Sequence, residues 1–138
     1  MIHIIDYGAG NLFSVQNALN YLQIENKITA NPADLADADG IILPGVGAFR
    51  DAMTMLNESG FTEAIKVQAS AGKPILGICL GMQMLFEKGY EFGETDGLGL
   101  IPGSVVLIDG GGLKIPHMGW NDLTVLNDCP LSADVADG

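Results

Sequence analysis

Cys79 stands in the motif Gly77-Ile78-Cys79-Leu80-Gly81, where an apolar run gives way to a helical pattern. The motif has the G-x-nucleophile-x-G form of a nucleophile elbow, in which a strand turns into a helix so tightly that glycines must flank the nucleophile. A thiol at a helix start lies near unpaired backbone N–H groups that favour the thiolate, which is the attacking form. A small apolar cysteine with glycines for close packing is the alternative. Because strand, elbow and helix coincide, we interpret Cys79 as a nucleophile.

A cysteine that attacks a carbonyl needs N–H donors for the oxyanion. The backbone N–H of Leu80, directly after the cysteine, is the first candidate. The loop "PGVG", residues 44–47, follows another apolar run, and its glycines would let the backbone turn an N–H towards a bound carbonyl. A glycine-rich turn that binds nothing explains this loop equally well, so the residues alone leave its role open.

The nucleophile also requires a general base, commonly a histidine oriented by a carboxylate. The chain has two histidines, His3 and His117. His3 begins the first predicted strand, at the opposite end of the sheet from the elbow, and His117 lies in the turn-rich segment "PHMGWN", residues 116–121. A cysteine hydrolase that uses His117 as its base is therefore an alternative hypothesis. The second cysteine, Cys129, receives no functional interpretation.

The segment "GAG", residues 8–10, does not predict dinucleotide binding. The G-x-G-x-x-G pattern would need glycine at position 13, where Phe13 stands, and no acidic residue closes a second strand at the usual offset.

The elements that must position Cys79 follow from hydrophobic periodicity. Apolar strands are predicted in residues 1–6, 27–29, 40–44 and 74–78, and a helix begins after Asn11 as N-cap. Further helical segments are a short turn at 32–38, one broken helix or two between 48 and 72, and a helix over 80–89. This alternation predicts an α/β fold with a doubly wound, mostly parallel, flavodoxin-like sheet and helices on both faces. Ligands of such sheets bind at the carboxyl ends of the strands.

The pattern changes from Leu98 onward, where "LGLIPGSVVLI" and "LTVL" predict a short antiparallel extension. Hydrophobic residues make up 48% of the 138 residues, and charged residues 17%, which fits one globular domain over 1–138. The net charge of −11 makes nucleic acid and anionic membranes poor partners. With no leader or membrane-length apolar run, we expect a cytoplasmic protein with free thiols and no disulfide.

The elbow "GICLGMQ" and the loop "PGVG" together resemble the glutamine amidotransferases that use a Cys-His-Glu triad. Two further motifs, "DYGAGNLFSV" at the first strand and "PHMGWN", narrow the resemblance to the glutaminase subunits of imidazole glycerol phosphate synthase. All four motifs occur in the family's order and spacing. The resemblance implies a class I glutamine amidotransferase-like fold.

This resemblance also implies hydrolysis of glutamine to glutamate and ammonia, with the ammonia channelled to a cyclase subunit, a (β/α)8 barrel, in histidine biosynthesis. Cys79 would be the nucleophile, and no cofactor or metal would be needed. The other roles that it implies are oxyanion donors at Val46 and Leu80, supported by Gly45 and Gly47, and substrate binding by Gln83 and Glu91.

The segment 116–121 would face the cyclase. Trp120 either covers the sheet or anchors this interface, and the resemblance favours the interface. The residues that it assigns to the partner surface are His117, Met118, Gly119, Trp120 and Asn121.

The family's catalytic histidine and glutamate form a histidine-x-glutamate pair nearer the C-terminus, and these 138 residues contain no such pair. The chain is similar to roughly the first two thirds of the family domain. We therefore expect an incomplete domain that is inactive as it stands. A non-catalytic module of the same fold that binds the cyclase is the alternative.

Overall fold

A computed structural model of the protein describes residues 1–127 and 129–133. The chain divides into two units, Met1–Leu107 and Ile108–Gly138. The helices and strands of the described residues all lie in the first unit. No helix in the described ranges is long and apolar enough to cross a membrane.

The first unit is built on a four-stranded parallel sheet. The strands are β1 (Ile2–Ile5), β2 (Asn26–Thr29), β3 (Gly40–Leu43) and β4 (Ile75–Gly77). In space they follow the order β2-β1-β3-β4, which confirms the predicted parallel arrangement. The apolar, isoleucine-rich sequences of the two central strands, β1 and β3, suit strands that are covered on both faces.

Helices connect these strands. Asn11 caps the first helix as predicted, since its side chain accepts a hydrogen bond of 3.2 Å from Ser14 N. Between β3 and β4 the chain forms two helices rather than one, separated by Gly60 with a φ of +80°. The helices are α1 (Leu12–Tyr21), α2 (Phe49–Glu58), α3 (Phe61–Ser70) and α4 (Leu80–Met84), with a 3₁₀ helix at Pro32–Asp37.

Side chains that alternate along the strands build a core on each face of the sheet. On one face, Ile4 and Ile42 pack with Leu19 of α1. The other face is larger and includes Ile5 and Leu43 together with α2 and α3. A large apolar side chain that is fully buried contributes roughly 1.5–3 kcal/mol, so these two layers hold the sheet in place. The predicted cover of helices on both faces is confirmed.

A second sheet follows α4 and corrects two expectations. The helix predicted over 80–89 ends at Met84, because β5 (Phe86–Gly89) pairs with β6 (Thr95–Asp96) and β7 (Ile101–Val105). The carbonyl of Met84 accepts from Leu98 N at 2.8 Å, so returning chain replaces the next helical turn. The extension expected to be antiparallel is mixed, since β6 runs antiparallel to β5 and β7 runs parallel to it.

In the second unit, the described residues form turns, bends and irregular chain without a helix or strand. The strand predicted at "LTVL", residues 123–126, is therefore wrong. Within the segment 116–121, Asn121 Nδ2 lies 2.9 Å from His117 Nε2. Met118 and Trp120 are exposed there.

Candidate active site

Cys79 occupies a strained turn between β4 and α4. Its φ of 57° and ψ of −118° lie in a region that residues with a side chain rarely adopt. Before it, Ile78 N donates to Leu43 O at 3.0 Å, which continues the pairing of β3 and β4 up to the turn. The thiol is exposed. The sequence therefore forms the predicted strand, tight turn and helix around an accessible cysteine.

Close backbone contact explains the two glycines of the elbow. A Cβ on Gly77 would lie 2.5 Å from Cα of Met82, and one on Gly81 would overlap the backbone of β3. Real Cβ atoms do not approach backbone so closely. Both glycines are thus required for α4 to start directly at the end of the strand.

The loop 44–47 packs directly on the elbow. Pro44 and Gly45 are buried, and a Cβ on Gly45 would lie 2.7 Å from Gly81 N and 3.0 Å from Leu80 Cβ. The next residue, Val46, is 56% exposed. The structure therefore brings the two loops that carry the predicted oxyanion donors side by side at the carboxyl ends of β3 and β4.

Backbone hydrogen bonds occupy the N–H groups that follow Leu80 in the first turn of α4. Gly81 N donates to Ile78 O, while Met82 N and Gln83 N donate to Cys79 O at 3.0 and 3.2 Å. Leu80 N comes before these donors, at the first helical position, where an N–H has no intrahelical acceptor. Gln83 is half-buried and lies one helical turn after Cys79, which places it on the same side of α4.

Glu91 lies at the start of α2. Its Oε2 accepts a hydrogen bond of 2.9 Å from Phe49 N, the first residue of the helix that follows the loop 44–47. Arg50 Nη1 also donates to Phe92 O at 3.4 Å, so two contacts fix this segment. The structure thus brings Glu91 to the same end of the sheet as the elbow. Periodicity could not reveal this cap, because its partners are 42 residues apart.

Tyr7 is a residue of this region that sequence reasoning missed. Its hydroxyl donates to Pro44 O at 3.0 Å, and only 5% of the residue is exposed. Burial raises the pKa of Tyr7 to about 12. The one available signal was the position of the tyrosine directly after the first strand, in "DYGAG".

His3 lies away from the elbow, as predicted. In the sheet it pairs with Ile41, which pairs with Ile75, four residues before Cys79. At about 3.3 Å per residue, the offset along the strand is roughly 13 Å. His3 is 2% exposed and neither ring nitrogen has a hydrogen-bond partner. It is a residue of the sheet interior.

The remaining predicted residues belong to the second unit. His117, Met118, Gly119, Trp120 and Asn121 are all exposed. Cys129 is also exposed, and a hydrogen bond with the Ser132 side chain, followed by backbone hydrogen bonds from Leu131 and Ser132, lowers the pKa of its thiol. Among the described residues, no group of three His, Cys, Asp or Glu side chains is placed to hold a metal ion.

Comparison with known proteins adds a family to this geometry. The CobB/CobQ-like glutamine amidotransferase domain matches residues 2–109. The chain is 51% identical over 138 residues to the imidazole glycerol phosphate synthase subunit HisH of Lacticaseibacillus casei (strain BL23), covering 99% of this chain and 66% of that protein.

Other subunits of the same name are similarly related. The HisH of Caldanaerobacter subterraneus subsp. tengcongensis is 50% identical over 138 residues, covering 100% of this chain and 68% of the relative. The HisH of Halalkalibacterium halodurans is 52% identical over 144 residues, covering 100% of this chain and 67% of the relative. The chain thus spans about two thirds of the length of these curated relatives.

Two solved structures share the fold. A crystal structure of a glutamine amidotransferase aligns with a TM-score of 0.62 at 22% identity, covering 72% of this chain and 52% of that one. A structure of a putative peptidase E protein from Listeria monocytogenes EGD-e aligns with a TM-score of 0.54 at 17% identity, covering 63% of this chain and 50% of that one. At these identities the likeness shows the fold alone.

Proposed function

Because the chain belongs to the HisH family of imidazole glycerol phosphate synthase subunits, we propose that it contributes the nucleophile, Cys79, for hydrolysis of glutamine to glutamate and ammonia. The observation that carries this proposal is the strained, positive-φ turn that presents an exposed thiol between β4 and α4. Strain of this kind persists where the surrounding structure imposes it, and it is concentrated at active sites.

The chemistry is acyl transfer through a thioester. The Cys79 thiolate forms a bond from Sγ to the side-chain carbonyl carbon of glutamine, and the carbonyl π electrons move to oxygen. When this oxyanion collapses, the C–N bond breaks and the nitrogen, after taking a proton, leaves as ammonia. Water then adds to the thioester, the sulfur departs and glutamate is released. The N–H groups of Leu80 and Val46 stabilise the negative oxygen in both steps.

Gln83 and Glu91 hold the substrate. Gln83 lies on the side of α4 that carries Cys79. Glu91 uses Oε2 to accept from Phe49 N, which leaves its other carboxylate oxygen for the ammonium group of the substrate. A cap on α2 thus orients a carboxylate towards the loop 44–47.

A base must take the proton of the Cys79 thiol and later protonate the departing nitrogen, and the first unit does not supply one. His3 is the one histidine in residues 1–107, and it lies roughly 13 Å from the elbow along the strands. We assign the base to the histidine-x-glutamate pair that the family resemblance implies, which these 138 residues lack. Turnover by the chain as given is then on the order of 10²- to 10⁴-fold below that of a complete triad.

The ammonia passes to a cyclase subunit, and this step rests on the relatives' name as subunits of a synthase. The segment 116–121 is the docking surface. Its fully exposed Trp120 and neighbouring Met118 offer a large apolar anchor of the kind that dominates interface energies. Such a complex belongs in the cytoplasm, where amino acids are made.

Active-site labelling tests the nucleophile. The chain is treated with a glutamine-derived chloroketone, with and without glutamine, and both cysteine peptides are quantified by mass spectrometry. We expect labelling at Cys79 that glutamine suppresses, and Cys79→Ser abolishes it. Cys129 is an internal control, because it is exposed yet should show no protection by glutamine. Equal labelling of the two thiols without protection by glutamine contradicts the proposal.

A second candidate is a module that binds the cyclase without catalysis, and the exposure of Trp120 favours it. Here Trp120→Ala should abolish association with the cyclase in a pull-down or by calorimetry, whereas Phe13→Ala, at another exposed aromatic residue, should not. If Trp120→Ala binds normally, this candidate fails. If Cys79 also shows glutamine-protected labelling, the glutaminase assignment is favoured over a purely binding role.

A further inference from the structure

The loop 44–47 is held from the side opposite the elbow by the first strand-to-helix connection. Tyr7, two residues after β1, donates its hydroxyl to Pro44 O at 3.0 Å in a buried contact. A Cβ on Gly10 would lie 3.0 Å from Cβ of Pro44, and Gly10 has a φ of +107°. Residues 44 and 45 therefore pack between this connection and the start of α4.

Fixing Pro44 O fixes a whole peptide plane. The peptide bond is planar, so the Pro44 carbonyl and the Gly45 N–H turn together. The next N–H along the chain is that of Val46, separated from this plane by the two dihedral angles of Gly45. Glycine permits many values of those angles, so the loop alone does not define the direction of Val46 N–H. An external hydrogen bond on Pro44 O fixes the plane from which these two angles are measured, while the close contacts of Gly45 with Gly81 N and Leu80 Cβ limit the angles themselves.

Proline makes this hydrogen bond the principal anchor of the peptide plane. Pro44 has no N–H of its own, so its backbone can be held only through the carbonyl. Pro44 is fully buried, where water does not replace a lost donor. The raised pKa of Tyr7 keeps its hydroxyl protonated, and therefore a donor, over the pH range of an enzyme assay.

We propose that Tyr7 is a positioning residue that acts through Pro44 to aim the Val46 N–H at the oxyanion formed on Cys79. This inference rests on the proposed function, since it concerns the same acyl-transfer site. It also gives the "GAG" segment a role, because Gly10 allows the connection to reach Pro44. Tyr7 acts through Pro44 and does not itself contact the substrate or the nucleophile.

Two probes of Cys79 separate oxyanion stabilisation from simple access. A glutamine-derived chloroketone adds the thiolate to its carbonyl and creates an oxyanion, whereas iodoacetamide is displaced directly and creates none. In Tyr7→Phe we expect chloroketone labelling to slow about 10-fold, less than for complete removal of a donor. The iodoacetamide rate at Cys79 should stay within about 2-fold, because a loosened donor does not alter access to the thiol.

Tyr21→Phe is the matched control, since Tyr21 is 88% exposed on α1 and should react like wild type with both probes. Gly10→Ala crowds Pro44 from the same side and should reproduce the selective loss. If Tyr7→Phe leaves the chloroketone rate unchanged, or slows both probes equally, the positioning role is overturned. If wild-type Cys79 shows no glutamine-protected labelling, the proposed function fails first and the role of Tyr7 falls with it.

Discussion

A Cβ on Gly81 would lie 1.8 Å from the carbonyl oxygen of Leu43. Gly81 is in the first turn of α4, and Leu43 ends β3, the strand next to the one that carries the nucleophile. The same oxygen accepts from Ile78 N at 3.0 Å. The helix that follows Cys79 therefore begins in direct contact with the neighbouring strand, and this contact sets the position of the thiol.

Gly81→Ala should therefore disrupt the elbow. We expect a loss of about 3 kcal/mol in the free energy of unfolding, at the upper end for overpacking, because the obstacle is backbone rather than a flexible side chain. Glutamine-protected labelling of Cys79 should also disappear. Urea denaturation and labelling measure the two effects. Gly72→Ala is the control, since Gly72 has a φ of +81° but no atom within 4 Å of an added Cβ.

That control isolates backbone strain from overlap, so Gly72→Ala should lose only about 1 kcal/mol. Gly81 has no positive φ, so a loss for Gly81→Ala as small as that for Gly72→Ala would show that the contact with Leu43 does not require glycine at position 81.

Cys79→Gly should stabilise the fold while removing the nucleophile. The positive φ of Cys79 costs on the order of 1–3 kcal/mol for a residue with a Cβ, and glycine avoids that cost. After allowing for the extra freedom of glycine in the unfolded chain, we expect a gain of about 1 kcal/mol. Cys79→Ala keeps the strain and should unfold within about 0.5 kcal/mol of wild type. Urea denaturation of both variants provides the comparison, and equal stabilities would argue against strain at the elbow.

The sequence predicted those elements whose signals lie within a few neighbouring residues. The apolar runs of β1, β3 and β4, the Asn11 cap and the glycines of the elbow each carry their own signal, and the parallel sheet follows from their order. The end of α4 could not be predicted from such local signals. The stretch "LFEKG" continues a helical spacing, yet Phe86 to Gly89 pair with strands that come later in the chain.

Long-range contacts explain most of what was missed. "LTVL" has the composition of a strand but forms none in the described chain, because strand formation depends on tertiary surroundings as well as on composition. The Tyr7 hydroxyl and Pro44 are 37 residues apart, and Glu91 and Phe49 are 42 apart. One sequence contains no signal for such pairs, although each contact helps to build the candidate site.

Glu91→Ala should destabilise the start of α2 as well as weaken glutamine binding. Removing the carboxylate leaves Phe49 N without its acceptor, and loss of such a cap costs about 1 kcal/mol. Glu91→Gln keeps an acceptor oxygen, so it should recover most of the stability but not the attraction for the ammonium group. Urea denaturation and glutamine protection of Cys79 report the two properties separately.

Glu58→Ala is the control for Glu91, because it removes an exposed carboxylate from the other end of the same helix. It should change neither property. If glutamine protects Cys79 in Glu91→Gln at the same concentrations as in wild type, the Glu91 carboxylate stabilises the helix and does not bind glutamine.

The buried hydroxyl of Tyr7 should make the fold sensitive to alkali. Its pKa is raised from 10.0 to about 12 in the folded protein, so the unfolded chain releases the proton first. The stabilisation is complete below pH 10 and is lost as the pH rises towards 12, which lowers the free energy of unfolding by on the order of 1–2 kcal/mol.

Urea denaturation at several pH values measures this dependence of the free energy of unfolding on pH. Tyr7→Phe should flatten it and Tyr21→Phe should not. Because Lys88 also has a raised pKa and loses its charge in alkali, the difference between wild type and Tyr7→Phe is the quantity that counts. Parallel curves for those two proteins would show that the Tyr7 hydroxyl is not held in the buried contact with Pro44.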